Sequence, residues 1–211
     1  MMDFSALNFN VSRETSERLE IFQSLLTKWN KKINLIGKNT LPVAAVRHFL
    51  DSAQLWSYRS NGGVWLDMGS GAGFPGLVLA IINRQMDSPY QFHLVESDAR
   101  KCAFLRTVSR ETETEIKIHA LRIERADAIQ ADIVSARALA SVSELMEYTI
   151  KHMKPAGFAL YLKGQNCEEE LIEAQRSWQF QSVTSTSISD PNARVLKVWE
   201  LQRATKSDGG R

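Results

Sequence analysis

Cysteine is scarce in this chain, whose 211 residues include only Cys102 and Cys167. Two cysteines exclude a disulfide scaffold and cannot complete a zinc-ribbon site. The four histidines show no metal-ligand spacing, so we expect no metal. No stretch reaches the roughly 18 apolar residues that a membrane span needs, and residues 1–10 lack the basic and apolar regions of a secretory signal. These absences favour a cytoplasmic protein with no membrane partner.

The composition is that of an ordinary globular protein. Hydrophobic residues make up 44% and charged residues 24%, which excludes a wholly disordered chain. Lys plus Arg number 26 against 24 for Asp plus Glu, and the net charge of +2 does not by itself require a nucleic-acid partner. The length suits one large domain, or one domain with a modest extension.

The N-terminal fifth of the chain has the pattern of helices. Ser12 is a suitable N-cap, and six apolar residues then share one helical face: Leu19, Phe22, Leu25, Leu26, Trp29 and Ile33. A second helix is predicted over residues 42–58, with Pro42 in its first turn, before a break at residues 61–63. We therefore predict a helical extension over residues 1–61, packed on the rest of the molecule.

From residue 64 onward, short apolar runs alternate with helical stretches. The runs predict strands at residues 64–68, 92–96, 116–120, 132–136 and 158–163, and then a hairpin of two strands at 179–186 and 194–201. Helices are predicted at residues 76–83, 99–110, 142–152 and 168–177. This alternation indicates an α/β fold over residues 62–203, a mainly parallel seven-stranded sheet with helices on both faces. Residues 204–211 are predicted to be a disordered tail.

The strongest local signal is a glycine loop between the first predicted strand and its helix. Gly69, Gly71 and Gly73 follow the strand at alternate positions, where glycine permits positive φ and lets a ligand approach the backbone. Gly71, Gly73 and Gly76 also match G-x-G-x-x-G, the dinucleotide fingerprint. With Asp67 two residues earlier, the loop resembles the first motif of class I S-adenosylmethionine (SAM) methyltransferases. At this point both NAD and SAM remain open.

Glu96, at the end of the second predicted strand, supports a cofactor that contains ribose. An acid at this place accepts hydrogen bonds from ribose hydroxyls in NAD and SAM sites alike. A NAD-dependent reductase would also need a proton donor, such as a Tyr-x-x-x-Lys pair after the fourth strand. Tyr148 is followed at that spacing by His152, so the pattern fails.

Several motifs are similar to those of a single family: KWNKKINL at residues 28–35, RHFLDS at 47–52, GFPG at 73–76 and LKGQ at 162–165. With them the chain resembles, over about residues 19–201, the bacterial 16S rRNA guanine-N7 methyltransferases, or glucose-inhibited division protein B family. One departure is Ile36, where the family usually has Thr. The resemblance implies a Rossmann-like class I SAM-dependent methyltransferase fold, with SAM as methyl donor and S-adenosylhomocysteine as product. It also implies a target guanosine in the 530 loop of 16S rRNA, within the small ribosomal subunit.

The resemblance further implies where the site residues lie. Its SAM contacts carry over to the glycine loop and to the ends of the third and fourth strands, at Gly69, Phe74, Ile123, Glu124 and Arg137. Loop and strand-end chemistry adds four more cofactor-binding residues, Asp67, Gly71, Gly73 and Glu96. Arg137 and Lys163 are the predicted catalytic residues, because the carboxyl edge of an open α/β sheet binds ligands and a basic donor suits guanine O6 or a phosphate.

Guanine N7 has an in-plane lone pair and no proton, so its methylation needs no general base. Catalysis then rests mainly on positioning. RNA C5-methyltransferases instead attack with a thiolate, but neither Cys102 nor Cys167 lies in the strand-end motif of those enzymes. The alternative function is a SAM-dependent methyltransferase that acts on another RNA, a protein or a small molecule.

Two basic clusters lie mostly outside these site residues. The first belongs to the N-terminal region and the second to one predicted helix: Lys28, Lys31, Lys32, Lys38 and Arg47, then Arg100, Lys101, Arg106 and Arg110. Each is consistent with a phosphate-binding surface or with a solvated helix face, and the sequence leaves both open. We expect 16S rRNA as the partner of a monomeric enzyme.

Overall fold

The computed structural model describes residues 3–37, 45–86 and 90–204. Helix α1 spans Arg13–Asn30, and the Thr15 backbone N–H donates to Ser12 Oγ at 3.1 Å, which confirms the predicted N-cap. Leu19, Phe22 and Leu26 are fully buried on one face of α1, as the apolar periodicity indicated. Burial of this face holds the N-terminal helix against the sheet domain.

The second helical segment is less regular than predicted. It is built from a π-helical turn Ala45–Leu50, the short helix α2 at Asp51–Ala53 and a 3₁₀ turn Gln54–Tyr58. The predicted first-turn residue Pro42 lies outside the described residues. The break that follows is confirmed, since Gly62 and Gly63 take φ values of 104° and 123°.

A seven-stranded sheet forms the centre of the molecule, which confirms the predicted fold class. Its strands are β1 Gly63–Met68, β2 Tyr90–Val95, β3 Lys117–His119, β4 Ala131–Arg137, β5 Met153–Lys163, β6 Trp178–Thr186 and β7 Arg194–Arg203. Their order is β3-β2-β1-β4-β5-β7-β6. The first five strands run parallel, and β7 lies antiparallel between β5 and β6. The order reverses between β1 and β4, which is the switch point where open α/β sheets bind ligands.

Four longer helices and one short turn connect the strands: α3 Gly76–Asn83, α4 Ala99–Glu111, the 3₁₀ turn Ile123–Arg125, α5 Val142–His152 and α6 Cys167–Ala174. The predicted bounds of α3 and α5 are confirmed, whereas α6 ends three residues earlier than predicted. Strand β5 begins five residues earlier than predicted. Its pairing with β4 shifts register between Ala131 and Ile133. The irregular part of β5 contains Pro155 and Gly157, two residue types that are uncommon inside strands.

The core lies on both faces of the sheet. One hydrophobic cluster joins α1, α3 and α4 to one face, and a second joins α5 and α6 to the other. Phe22 of α1 stacks on Phe74 of the glycine loop at 5.3 Å, and Phe49 meets the same ring edge-on at 5.1 Å. The extension therefore supports the loop directly. The division of the chain into an extension over residues 1–61 and a methyltransferase domain over residues 62–203 stays a prediction.

None of the helices in the described ranges is long and apolar enough to cross a membrane. Most of the predicted tail, residues 205–211, lies outside the described part of the chain.

Candidate active site

A cavity of about 710 Å³ opens at the carboxyl edge of the parallel strands. Its walls come from the connections after β1, β2, β3 and β4, together with residues 35–37 and His48 of the extension. This volume lies within the roughly 300–1,000 Å³ of small-molecule sites. The polypeptide thus provides a cofactor-sized site at the switch point.

Three glycines shape the loop at one wall of this cavity in different ways. Gly69, Gly71 and Gly73 all take positive φ, at 66°, 55° and 92°. A Cβ at Gly69 would lie 2.6 Å from Leu139, and one at Gly73 would lie 2.9 Å from Leu77. A Cβ at Gly71 would meet only Gly69 O, at 3.8 Å. Gly71 therefore presents bare backbone to the cavity, while the other two permit close packing.

Glu96 closes the loop from the neighbouring strand. Its Oε2 accepts the Gly71 N–H at 2.9 Å and its Oε1 accepts the Asp98 N–H at 2.7 Å. The side chain is buried at the cavity wall. Each carboxylate oxygen has a second acceptor position, so Glu96 can hold the loop and still accept hydroxyl donors from a ligand.

Asp67 and Gly73 do not line the cavity, and their role in binding the cofactor stays a prediction. Asp67 is fully buried beneath the loop, where its Oδ1 accepts from Ser135 Oγ at 2.7 Å and its main-chain oxygen accepts from Ser70 Oγ at 3.1 Å. Burial raises the pKa of the Asp67 carboxyl from 3.8 to about 6. Asp67 therefore fixes the loop from below.

The turn after β3 forms the opposite wall. Ile123 and Glu124 line the cavity as predicted. The Glu124 main-chain oxygen accepts from Lys151 Nζ at 2.9 Å, and its carboxylate lies 3.4 Å from Tyr148 Oη. His152 Nε2 lies 3.3 Å from Ile123 O. Tyr148 also lines the cavity, a position that the sequence analysis missed because it weighed this residue only as part of a reductase motif.

Arg137 ends β4 at the cavity wall, as predicted, and its side chain is 16% exposed. Its Nη1 lies 3.6 Å from Asp51 Oδ2. Asp51 is buried, and its Oδ1 accepts from Gln54 Nε2 at 2.8 Å and from Ser187 Oγ at 2.8 Å. The RHFLDS motif and the β6–β7 connection thus meet behind Arg137 and restrict its orientation.

Lys163 does not line the cavity, although it was expected there, and its role as a catalytic residue stays a prediction. Its Nζ donates to Ala140 O at 2.9 Å and pairs with Glu170 Oε2 at 2.7 Å, in a side chain only 9% exposed. Leu162 is the residue in register with Arg137. Because side chains alternate along a strand, Lys163 points to the other face. Its hydrogen bond to the cavity wall is made to Ala140 O.

The connection after β4 is the main cavity segment that the sequence analysis missed. Ala138, Leu139 and Ala140 all line the cavity, and Ala138 takes a φ of 48°. Leu35 was named only as the last residue of a motif and Ile36 only as a departure from the family, although their N–H groups both donate to Asn30 Oδ1, at 2.8 and 3.0 Å. The KWNKKINL motif was the available signal for this wall.

Within residues 3–37, 45–86 and 90–204, no three His, Cys, Asp or Glu side chains gather as a metal site. The expected absence of a metal stays a prediction.

Solved structures with the same fold support the architecture. M. jannaschii TYW2 in complex with AdoMet superposes with a TM-score of 0.58 at 13% identity, covering 82% of this chain and 80% of that one. A putative S-adenosyl-L-methionine-dependent methyltransferase from Methanococcus maripaludis gives 0.56 at 10% identity, covering 94% of this chain and 99% of that one. At these identities the likeness shows the fold alone.

Proteins found by sequence comparison are much more similar to this chain than these structures are. A Parvibaculum lavamentivorans protein named Ribosomal RNA small subunit methyltransferase G is 48% identical over 198 residues, covering 92% of this chain and 87% of the relative. A Ruegeria sp. protein of the same name is 40% identical over 197 residues, covering 93% and 96%. The sequence model of the family described as rRNA small subunit methyltransferase G matches residues 15–196. The chain therefore belongs to the rRNA small subunit methyltransferase G family.

Proposed function

We propose that this protein transfers a methyl group from SAM to N7 of a guanosine in the 530 loop of 16S rRNA. The observation that carries the proposal is the cavity at the switch point, with bare backbone at Gly71 and a buried acid at Glu96, in a chain of this family. The sequence relatives are named as small-subunit rRNA methyltransferases.

The residues present fit SAM. Glu96 offers acceptor positions for ribose hydroxyls, Gly71 leaves room beside the loop, and Ile123 with Glu124 forms an apolar and polar wall suited to adenine. When bound, SAM supplies a methyl group on a positively charged sulfonium. The chain's task is to hold donor and base in line and to exclude water.

Arg137 is the residue we assign to the guanine side of the site. Its guanidinium has only donors, so it can bind guanine O6 or a flanking phosphate. A donor on N7 would occupy the lone pair that attacks the methyl group, so the contact must lie elsewhere on the nucleotide. The ion pair with Asp51 restricts the side chain from behind. No base is needed, since N7 carries no proton.

A covalent cysteine mechanism is disfavoured by the thiol environments. Cys102 and Cys167 are both buried, and burial raises the pKa of each thiol. Cys102 Sγ donates to Glu96 O at 3.2 Å. A thiol that is buried and protonated is a weak nucleophile, so both residues fit packing roles.

We further propose that the enzyme is a cytoplasmic monomer and that its substrate is the small ribosomal subunit. Purified protein, labelled SAM and either naked 16S rRNA or assembled subunits from cells lacking the enzyme provide the test. We expect about one methyl group per RNA, on guanosine N7, with faster transfer to the subunits. Methylation of a different molecule, or SAM binding with no transfer to either RNA substrate, would favour the alternative function.

A further inference from the structure

Members of the two basic clusters, Lys32 of the first and Arg100 and Lys101 of the second, more than 60 residues apart in sequence, meet at a second cavity of about 150 Å³. The described residues that line it are Lys32, Ile33, Asn34, Asp98, Arg100 and Lys101. The clusters come together because α1 packs on α4, with the rings of Trp29 and Phe104 5.6 Å apart. Lys38 and the Arg47 side chain lie outside the described part of the chain.

The charge of this cavity is positive. Three cations line it, and Asp98 is the one acid among the described lining residues. The Asp98 carboxylate is engaged at the start of α4, where Oδ1 accepts the Arg100 N–H at 2.8 Å and Oδ2 pairs with Arg100 Nη2 at 3.1 Å. Lys32 and Arg100 are exposed. An anion entering the cavity would therefore meet a net positive site open to solvent.

The second cavity adjoins the active-site cavity. Lys101 lines both, and Asn34 of the second is followed directly by Leu35 of the first. Its volume is about a fifth of the 710 Å³ of the active-site cavity, which suits a compact anionic group better than a whole cofactor.

We propose that this cavity binds a backbone phosphate of the RNA, next to the nucleotide being methylated. The proposal rests on the proposed function, because it takes RNA as the substrate. Lys32 and Arg100 neutralise the phosphodiester, and Lys101 marks the boundary with the cofactor. The two basic clusters act together, since neither supplies all three cations.

The test is the double variant Lys32→Gln/Arg100→Gln, which leaves Lys101 in place. We expect the KM for the RNA substrate to rise about 3- to 20-fold, with kcat and the Kd for SAM unchanged. The slope of log KM against log salt concentration should also fall by about 1.

The matched control is Arg176→Gln/Lys117→Gln, which removes the same charge. Arg176 is 71% exposed and pairs with Glu173 at 2.7 Å, much as Arg100 is 72% exposed and pairs with Asp98. Lys117 is exposed on β3, and neither control residue lines either cavity. Equal KM and salt slope for both double variants, in an assay where the wild-type enzyme methylates guanosine N7, would overturn the phosphate site. Failure of the wild-type enzyme itself would instead count against the proposed function.

Discussion

At the residue scale, alternating glycines turn out to serve different purposes. Gly69 and Gly73 leave space for Leu139 and Leu77, whereas Gly71 has no side chain packed against it, and of the three only Gly69 and Gly71 line the cavity. Sequence spacing predicted the loop and its positive φ, because a strand followed by alternating glycines needs a tight turn. It could not separate packing from binding, since that depends on neighbours distant in the chain.

Gly71→Val should abolish tight SAM binding. A β-branched residue at a φ of 55° is strained, and its side chain would enter the cavity. We expect the Kd for SAM, measured by calorimetry, to rise more than about tenfold, which is above 1.4 kcal/mol. Gly164→Val is the control, because a Cβ there meets nothing within 4 Å. If a folded Gly71→Val protein bound SAM with wild-type affinity, the loop would not be part of the SAM site.

Asp67 should make stability depend on pH. Its folded pKa of about 6 lies above the ordinary 3.8, so the unfolded chain loses this proton first as pH rises. The free energy of unfolding should therefore fall by about 3 kcal/mol between about pH 3 and pH 7 because of this group, with about 2 kcal/mol of the change between pH 4 and pH 6, and stay level above about pH 7. Urea unfolding of wild-type protein and Asp67→Asn across this range isolates the effect, since the difference between them should change by that amount. A constant difference would show that Asp67 ionises normally.

At the element scale, the connection from β4 to α5 forms a strained part of the cavity wall. Its Ala138 has a φ of 48°, a conformation that costs an L-residue roughly 1–2 kcal/mol. Lys163 holds Ala140 O from β5, and Glu170 of α6 accepts the Val142 N–H at 2.8 Å. A pair on two other elements thus stabilises a strained cavity wall.

Lys163→Ala and Glu170→Ala should therefore have similar effects. Each leaves its partner without a counter-charge in a largely buried place, so we expect unfolding free energy to fall by about 2–3 kcal/mol in each. The double variant should lose much less than the sum, because the pair acts as a unit. Methylation should fall to a similar degree in both single variants. Loss of methylation in Lys163→Ala alone, with Glu170→Ala near wild type, would restore a direct role for Lys163 at the substrate.

The elements show how far sequence patterns reach. Strand and helix positions were predicted well because the apolar runs of a parallel sheet are buried on both faces and stand out. The start of β5 was missed because Pro155 and Gly157 hide a strand that continues through an irregular pairing. Lys163 was expected at the cavity because it ends β5. The end of a strand determines the edge of the sheet at which a residue lies, but not the face to which its side chain points. Arg137 at the end of β4 and Glu96 just after β2 do line the cavity beside the switch point, and their roles there stay predictions.

At the scale of the whole molecule, distant parts of the chain meet behind the active site. Asp51 from the extension, Ser187 from the β6–β7 connection and Arg137 from β4 form one buried network. The extension also lines the cavity through Leu35 and His48. The N-terminal segment thus contributes residues to the wall of the site.

Asp51→Asn tests this connection. The variant keeps an acceptor for Ser187 but removes the charge beside Arg137, so we expect kcat for RNA methylation to fall about tenfold with little change in thermal stability. Asp132→Asn is the matched control, because Asp132 pairs with Lys154 at the opposite end of β4, away from the cavity. Asp51→Glu should recover part of the rate. Equal activity of the Asp51→Asn and Asp132→Asn proteins would show that Asp51 does not contribute to methyl transfer.

The most direct measurement is mass-spectrometric mapping of methylated guanosine in 16S rRNA from cells that lack this protein. We expect that N7 methylation in the 530 loop disappears, returns with the wild-type gene and does not return with the Gly71→Val gene. Unchanged N7 methylation in the cells lacking the protein, or a lost methyl group at any other position alone, would show that the protein is not the enzyme we propose.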